Sequence, residues 1–249
     1  MHRLEQGAVL DDPLSPYAEV DRSTPDGRCW VTGHMVAGLD GCAAIRGRVG
    51  ALSTAPDAEL FAAMRTLADV VLVGAETVRL ERYGPISLPP ERTAARTAQG
   101  LPATPPLAVV SRSLNLDWAS RAFTGASPER RTMVVTCEAA PAERLAQARE
   151  VADVLVAGEV SVDPGELMTL LAKRGLQRVL CEGGPTWLGE LVVAGLLDEL
   201  CLSIAPMMGG DPLPVAVFPP GATLAEFTLR HVLRADSTVF LRYERASHG

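Results

Sequence analysis

The sequence predicts an α/β protein with a largely parallel sheet, helices on both faces and antiparallel strands at the C-terminal end. Apolar runs of strand length alternate with helical patterns along the chain, which is typical of a parallel sheet. The run Asp69-Val-Val-Leu-Val-Gly74 is continuously apolar between its ends, as expected for a strand that is covered on both faces. Two strand patterns close the chain on either side of residues 234–237, and they predict an antiparallel pair.

The strands are predicted from apolar runs, taken in chain order. The first run, residues 29–37, ends in the turn Gly38-Leu39-Asp40-Gly41, and residues 43–45 are predicted to return as the second strand of a hairpin. Residues 84–106 are rich in Pro, Ala, Arg and Thr without a clear period, and we interpret them as a long surface excursion. The other strands are predicted at residues 69–74, 107–111, 132–136, 154–157, 178–181, 199–205, 227–233 and 238–243.

The helices are predicted from their apolar faces and from residues that start or stop a helix. In residues 56–67 apolar side chains recur at helical spacing, and Pro56 suits the first turn. The best-marked helix has Asp163 as its N-cap, Pro164 as its first residue and Gly175 as its stop. Further helices are predicted to begin near residue 75 and to cover residues 141–150 and 187–194.

The bulk properties indicate a globular protein with one main domain. The chain has 249 residues, of which 47% are hydrophobic and 21% charged. No apolar run approaches the roughly 20 residues of a membrane span, and the first 20 residues lack the apolar core of a signal peptide. We therefore expect no membrane association and a cytoplasmic location. Residues 1–27 are polar and contain prolines, so we expect an irregular arm ahead of a domain at residues 28–249.

Charge and metal-ligand patterns argue against two classes of function. The formal net charge of −7 disfavours nucleic-acid binding, which normally uses a basic face. The net charge does not exclude binding of phosphorylated ligands, because a few local arginines and backbone N–H groups determine that binding. The five cysteines are scattered without a C-x-x-C pair, and the four histidines form no zinc-binding pattern. We expect the cysteines to pack as small hydrophobes, and we expect no metal site.

Two strand-to-helix turns carry the strongest local signal for a small-molecule ligand. They are Gly74-Ala-Glu-Thr77 and Glu182-Gly183-Gly184-Pro185-Thr186. Open α/β sheets bind ligands where a buried strand ends and a helix begins, because free N–H groups and the helix dipole point there. Glycines let a pyrophosphate approach the main chain. The alternative is a Gly-Gly turn that only needs positive φ, and neither turn is a G-x-G-x-x-G fingerprint or a P-loop.

Two further positions are candidates for ligand contact. Ser111-Arg112 ends a predicted strand and offers a hydroxyl and a guanidinium, which suit the 2′-phosphate that distinguishes NADPH from NADH. The alternative is a solvated surface arginine. Asp40 lies in the Gly-Leu-Asp-Gly turn after the first strand, where it is a candidate catalytic residue, although an aspartate at this place can serve the turn alone.

Several segments resemble one known family, and they occur in that family's order. Met35-Val-Ala-Gly38-Leu39-Asp40-Gly41 resembles its M-x-x-S-L-D-G motif, and residues 67–78 resemble its first strand-turn-helix motif. Residues 182–186 and residues 196–206 resemble its E-G-G-P-T and D-E-L segments. The matches cover about residues 28–244, and the family is the C-terminal reductase domain of bacterial riboflavin biosynthesis enzymes.

The resemblance implies a dihydrofolate reductase-like fold, NADPH as cofactor, a small-molecule substrate and a homodimer. It also implies that Asp40 faces the substrate ring. A carboxylate can accept two parallel hydrogen bonds from an N–C–NH₂ edge, or help to protonate a nearby nitrogen. The implied cofactor contacts are Gly74, Thr77, Ser111, Arg112, Glu182, Gly183, Gly184, Pro185 and Thr186.

Two departures from the family pattern concern the substrate. Gly38 stands where the family has serine, and after Thr77 the chain has Arg79-Leu-Glu-Arg82-Tyr-Gly84-Pro85 instead of an acidic D-D-P segment. The favoured function is NADPH-dependent reduction of the ribosylaminopyrimidinone 5′-phosphate of riboflavin synthesis. The alternatives are dihydrofolate reduction on the same fold and a regulatory protein that binds NADPH without turnover.

Overall fold

A nine-stranded sheet forms the centre of the structure. The computed structural model describes residue 7 and residues 9–246. Its strands are β1 (Trp30–Ala37), β2 (Val70–Gly74), β3 (Leu107–Val110), β4 (Met133–Thr136), β5 (Asp153–Val156), β6 (Arg178–Cys181), β7 (Glu199–Ile204), β8 (Phe227–Ala235) and β9 (Thr238–Arg245). Their order across the sheet is β5-β4-β3-β2-β6-β1-β7-β9-β8.

The pairing of the strands brings their carboxyl ends to one edge. The pairs from β5 to β7 are parallel, whereas β9 runs antiparallel to both β7 and β8. The strand β1 lies between β6 and β7, with Trp30 opposite Arg178 and Thr32 opposite Glu199. The ends of β1, β2 and β6 therefore adjoin one another. The predicted fold class is confirmed, including the antiparallel pair at the end of the chain.

Eight α-helices accompany the sheet in the described residues, and none of them is long and apolar enough to cross a membrane. The Asp163 carboxylate accepts the backbone N–H of Glu166 at 2.7 Å, which confirms the predicted N-cap. The helices are α1 (Ser15–Ala18), α2 (Ala55–Met64), α3 (Ala75–Leu80), α4 (Pro90–Ala98), α5 (Arg121–Thr124), α6 (Ala142–Val151), α7 (Pro164–Lys173) and α8 (Pro185–Val193), and a 3₁₀ turn (Arg65–Leu67) continues α2.

Two apolar cores cover the two faces of the sheet. Successive side chains of a strand point to opposite faces, so Val71 and Leu72 of β2 belong to different cores. The Val71 core contains Leu60 and Met64 of α2, and the Leu72 core contains Leu171 of α7. The five cysteines are all buried, which confirms their predicted role in packing.

The predicted N-terminal arm packs on the sheet where the structure describes it. Residues 1–6 and 8 lie outside the described residues. The helix α1 interrupts the irregular segment, and Tyr17 is buried in the same core as α2. The division into an arm and a domain at residue 28 stays a prediction.

A buried carboxylate holds the arm against the sheet. Glu199 of β7 accepts hydrogen bonds from Arg22 at 2.7 and 2.8 Å and from Arg242 at 2.6 Å, and Thr32 donates to it at 2.8 Å. Burial alone would raise the pKa of Glu199, but the two arginines outweigh it and hold the pKa at about 2. Residues that are far apart in the sequence therefore lock the arm to the centre of the sheet.

Two predicted segments were wrong. Residues 43–45 form no strand, because the chain reverses at once through a bridge between Ile45 and Arg48, and the next partners of this segment come from residues 211–214. The predicted excursion at residues 84–106 contains α4. Its one buried side chain is Arg96, which donates to backbone carbonyls including that of Ala68 at 2.6 Å. A helix that buries an arginine shows no apolar period.

Candidate active site

A cavity of about 860 Å³ opens at the carboxyl ends of β1, β2, β3 and β6. This size is typical of small-molecule sites, and the end of a parallel sheet is where such sites are expected. Its walls bring together all the residues that the resemblance assigned to the cofactor: Gly74, Thr77, Ser111, Arg112, Glu182, Gly183, Gly184, Pro185 and Thr186. Asp40 is not among the residues that line it.

The two glycine turns touch each other through their backbones. The Gly74 N–H donates to the Gly183 carbonyl at 3.1 Å, which joins the end of β2 to the end of β6. A Cβ on Gly74 would lie 3.3 Å from the Gly184 Cα. Gly183 and Gly184 have φ of 116° and 81°, a backbone region that residues with a side chain rarely adopt. The N-terminus of α8 follows directly, so unpaired N–H groups and the positive end of its dipole face this wall.

Glu182 is committed to its neighbours behind the turn. Arg65 donates to its carboxylate from Nε at 2.6 Å and from Nη2 at 2.7 Å, and the Tyr83 hydroxyl donates at 3.0 Å. Burial lowers the pKa of Arg65, but the Glu182 carboxylate outweighs it and raises that pKa above the ordinary value. Burial is the main cause that raises the pKa of Tyr83, and the Glu182 carboxylate raises it further. Both donors therefore stay protonated, and they fix the strand end that carries the glycines.

Arg112 and Arg79 form the cationic rim of the cavity. Arg112 is exposed, and its guanidinium makes no ion pair with any residue that the structure describes. Ser111 beside it is buried and donates its backbone N–H to Val135. Arg79 donates to the Asn115 carbonyl at 2.8 Å, so the two guanidinium groups belong to adjoining segments. An exposed pair of this kind suits a phosphate.

Asp40 holds a neighbouring loop. Its Oδ2 accepts the backbone N–H groups of Gly209 at 2.7 Å and Gly210 at 3.3 Å, and its Oδ1 accepts that of Cys42 at 3.2 Å. Hydrogen bonds from the Cys42 thiol, and then from the backbone N–H groups, hold the pKa of Asp40 well below its usual range. The carboxylate is ionised at neutral pH and engaged with the loop, and its contact with the substrate stays a prediction.

The glycine at position 38 has a structural reason. A Cβ there would lie 2.8 Å from the Cys42 sulfur and 2.9 Å from the Met207 carbonyl. Leu39 also donates its backbone N–H to that carbonyl at 2.7 Å, which keeps the two chain segments close. A serine side chain does not fit this arrangement unless the loop shifts, which accounts for the glycine.

The floor of the cavity contains polar side chains that the sequence did not single out. His34 of β1 and Asp57 of α2 are 1% and 2% exposed, and both line the cavity. His34 Nδ1, Asp57 Oδ1 and the indole N–H of Trp187 are buried without a hydrogen-bond partner in the described residues. The Phe61 ring lies 5.0 Å from the His34 ring. Most buried polar groups in folded proteins are hydrogen-bonded, so these unpaired groups are available to a ligand in the cavity.

Burial sets the charge state of the histidine. It lowers the pKa of His34 to about 4, although the Asp57 carboxylate opposes this shift. The imidazole is therefore neutral at pH 7 and offers one donor and one acceptor. A lone histidine in an apolar strand is weak evidence for a functional site. Only the folded chain shows that His34 of β1 and Asp57 of α2 line the same cavity. Within the described residues, no cluster of side chains suits a metal ion.

The arrangement has the features that a dinucleotide cofactor needs. Two glycine turns and the start of α8 offer backbone N–H groups to a pyrophosphate, and Arg112 offers a cation at the rim. The floor provides a recess lined by Phe61, Trp187 and unpaired polar groups for a second, partly polar ring.

Comparison with known proteins gives consistent matches. A sequence model of the RibD C-terminal domain matches residues 29–241. The chain is 28% identical over 189 residues to a 2,5-diamino-6-ribosylamino-4(3H)-pyrimidinone 5′-phosphate reductase of Archaeoglobus fulgidus, covering 75% of this chain and 85% of that one. It is 31% identical over 172 residues to the reductase of the same name from Methanothermobacter thermautotrophicus, covering 69% and 75%.

A solved structure is similar over nearly the whole chain. It is a pyrimidine reductase-like protein from Corynebacterium diphtheriae, with a TM-score of 0.80, 26% identity, and coverage of 95% of this chain and 96% of that one. The fold and the site define an α/β protein with a largely parallel sheet and a ligand cavity at the carboxyl edge of that sheet. The chain belongs to the RibD C-terminal domain family, the reductases of riboflavin biosynthesis. The resemblance drawn from the sequence motifs is confirmed.

Proposed function

We propose that the protein uses NADPH to reduce the ribose of a ribosylaminopyrimidinone 5′-phosphate to a ribityl chain. The observation that carries the proposal is the cavity wall in which Gly74, Gly183 and Gly184 meet above the start of α8, in a chain of this family. Two relatives that carry the name of this reductase support the substrate.

The residues of the chain fit such a cofactor. The backbone of residues 183–186 would hold the pyrophosphate, because no Cβ stands in its way. Arg112 and the Ser111 hydroxyl would hold the 2′-phosphate, and this contact would favour NADPH over NADH. When bound, the nicotinamide supplies two electrons as a hydride equivalent. The role of the remaining wall residues is to orient the ring and to exclude water.

The reaction changes one carbon of the sugar. The carbon that joins ribose to the amino group gains a hydride, its bond to the ring oxygen breaks, and that oxygen takes a proton from solvent or a nearby acid. The sugar is reduced and the nicotinamide is oxidised, so atoms and electrons balance. We propose that Asp40, on the loop beside the cavity, positions the substrate, since it is ionised and holds the backbone of Gly209 and Gly210.

A direct assay tests the proposal against its rivals. Purified protein is incubated with NADPH and either the ribosylaminopyrimidinone phosphate or dihydrofolate, and the nicotinamide absorbance is followed. We expect oxidation of NADPH with the first substrate. Oxidation with dihydrofolate alone would favour the folate alternative, and tight NADPH binding without turnover on either substrate would favour a regulatory protein.

We also propose a homodimer in the cytoplasm. The edge strand β8 leaves one side without a neighbouring strand in the described sheet, and Leu229 on this strand is 46% exposed. An unpaired edge with an exposed leucine favours pairing with a second chain. Light scattering at micromolar concentration that gives only the 26.4 kDa chain would contradict the dimer.

A further inference from the structure

One oxygen of Asp57 has no role in the fold. The Ser53 hydroxyl donates to Asp57 Oδ2 at 2.5 Å, whereas Oδ1 is buried and has no hydrogen-bond partner in the described residues. A buried carboxylate oxygen without a donor destabilises the folded protein. Asp57 lines the cavity, so a ligand in the cavity could supply the missing donor.

Helix capping does not account for Asp57. The spacing Thr54-x-x-Asp57 at the start of α2 is that of a capping box, in which the two side chains bond each other's backbone N–H groups. Thr54 makes no such bond in the structure, and its hydroxyl lies 2.8 Å from that of Thr238. Asp57 Oδ1 makes none either. The Asp57 carboxylate therefore does not act in the helix cap that its sequence position suggests.

His34 adds a second unpaired group to the same floor. Its Nδ1 is buried without a partner in the described residues, and the imidazole is neutral at pH 7 for the reason given above. A neutral imidazole can donate one hydrogen bond and accept another. The floor thus presents an anionic acceptor from α2 and a neutral polar ring from β1.

The charges of the cavity separate its floor from its rim. Among the described lining residues, the cation nearest to the floor is Arg65, and Glu182 already holds it through two hydrogen bonds. Arg79 and Arg112 are exposed at the rim. A phosphate needs cations or N–H donors and is repelled by a carboxylate, so it does not suit the floor. A neutral ring that carries N–H groups does.

We propose that Asp57, with His34 beside it, binds an amino or ring N–H group of the substrate's pyrimidinone, so that the ring enters first and the phosphate stays at the rim. The inference rests on the proposed function, because it orients that substrate. Asp57 Oδ1 accepts the donor, and Ser53 holds the other oxygen in place. The specificity for a nitrogen-rich ring then comes from α2 and β1, away from the glycine turns.

Equilibrium binding tests the inference separately from turnover. The probes are 2,5,6-triamino-4(3H)-pyrimidinone, which is the ring without its sugar, and ribose 5-phosphate, each titrated calorimetrically into protein saturated with NADP⁺. For Asp57→Asn we expect the affinity for the ring to fall about thirtyfold or more, because one acceptor becomes a donor. The affinities for ribose 5-phosphate and for NADP⁺ should stay within about twofold.

A control variant, Ser53→Ala, and a set of altered pyrimidinones accompany this titration. Ser53→Ala leaves the carboxylate in place, and we expect a loss of only a few-fold in ring affinity. Equal ring affinities in folded Asp57→Asn and wild type would overturn the inference, and so would a loss confined to ribose 5-phosphate. If Asp57→Asn does not fold, wild type is titrated with pyrimidinones that lack one amino group. At least one should bind about tenfold more weakly, and equal binding of all would overturn the inference.

The two proposals fail in different ways. If wild type turns over normally and Asp57→Asn binds the ring with wild-type affinity, only the ring-first orientation is contradicted. Ring binding that depends on Asp57, without oxidation of NADPH, contradicts the proposed function alone. No binding of the ring, of ribose 5-phosphate or of the full substrate to wild type would overturn both.

Discussion

The two sides of the cavity are built in different ways. The side assigned to the cofactor is made of backbone, since Gly74, Gly183 and Gly184 bring the ends of β2 and β6 into contact without side chains. The floor is made of side chains, and His34 and Asp57 reach it from β1 and α2. A backbone surface suits the phosphates that many cofactors share, whereas side chains select a particular ring.

The difference shows where specificity can change. Substitutions on the floor alter which hydrogen bonds a substrate can make, while the glycine turns stay as they are. One pair joins the two sides, because Arg65 follows α2 and holds Glu182 at the end of β6. A variant at this joint should therefore affect both sides of the cavity, whereas a variant on one side should affect that side alone.

Removal of Arg65 should have the largest effect. Arg65→Met leaves the fully buried Glu182 carboxylate without its cation, and we expect the free energy of unfolding to fall by about 3–5 kcal/mol. Tyr83→Phe removes one hydrogen bond to the same carboxylate and should cost less, about 1.5–3 kcal/mol, because the two bonds from Arg65 remain. Urea denaturation measures both. Losses of equal size would contradict the role of Arg65 as the joint.

Removal of Arg112 should act on the cofactor alone. For Arg112→Ala we expect the binding free energy of NADPH to weaken by about 1.5–3 kcal/mol, which is the range for a hydrogen bond to a charged group. NADH lacks the 2′-phosphate, so its affinity should scarcely change. Fluorescence titration with each cofactor measures the difference. Equal losses would remove Arg112 from the 2′-phosphate site.

The glycine turns should respond according to their backbone geometry. Gly184 has φ of 81°, so Gly184→Ala should lower the free energy of unfolding by about 1–2 kcal/mol. Gly74 has φ of −68°, which alanine adopts freely, and its Cβ would only press on Gly184. Gly74→Ala should therefore cost less than about 1 kcal/mol in stability and still weaken NADPH binding, because the turn shifts. A Gly74→Ala variant with wild-type affinity for NADPH would show that the turn contact is structural only.

Asp40→Asn should have the smallest effect, and its effect on stability should not change with pH near neutrality. Its pKa is held below the usual range, so the stability it contributes is present above the ordinary aspartate pKa and is lost only as pH falls through the lowered value. The difference in unfolding midpoint between wild type and Asp40→Asn should be constant between about pH 5 and pH 8. We expect Asp40→Asn to impair kcat/KM less than Asp57→Asn. The reverse order would show that Asp40 contributes more to substrate binding than Asp57 does.

The sequence predicted the backbone side of the cavity well and the floor poorly. Strand ends and the Asp163 cap are local signals, and each was confirmed within a residue or two. The glycines lie at the predicted strand-to-helix turns, and their contact with a cofactor stays a prediction. The nearness of Asp57 to His34 and the ion pair between Arg65 and Glu182 depend on the packing of distant elements, which no local pattern encodes. The helix α4 was missed for a related reason, because its buried residue is Arg96 rather than an apolar side chain.

The most direct test of the proposed function follows the transferred hydrogen. NADPH that carries deuterium in place of both hydrogens at the reactive carbon of its nicotinamide is mixed with the ribosylaminopyrimidinone phosphate and the protein, and the product is fragmented in a mass spectrometer. Reduction of the sugar predicts one deuterium in the ribityl fragment and none in the pyrimidinone. Deuterium in the ring, or unlabelled product with NADPH intact, would contradict the proposed reaction.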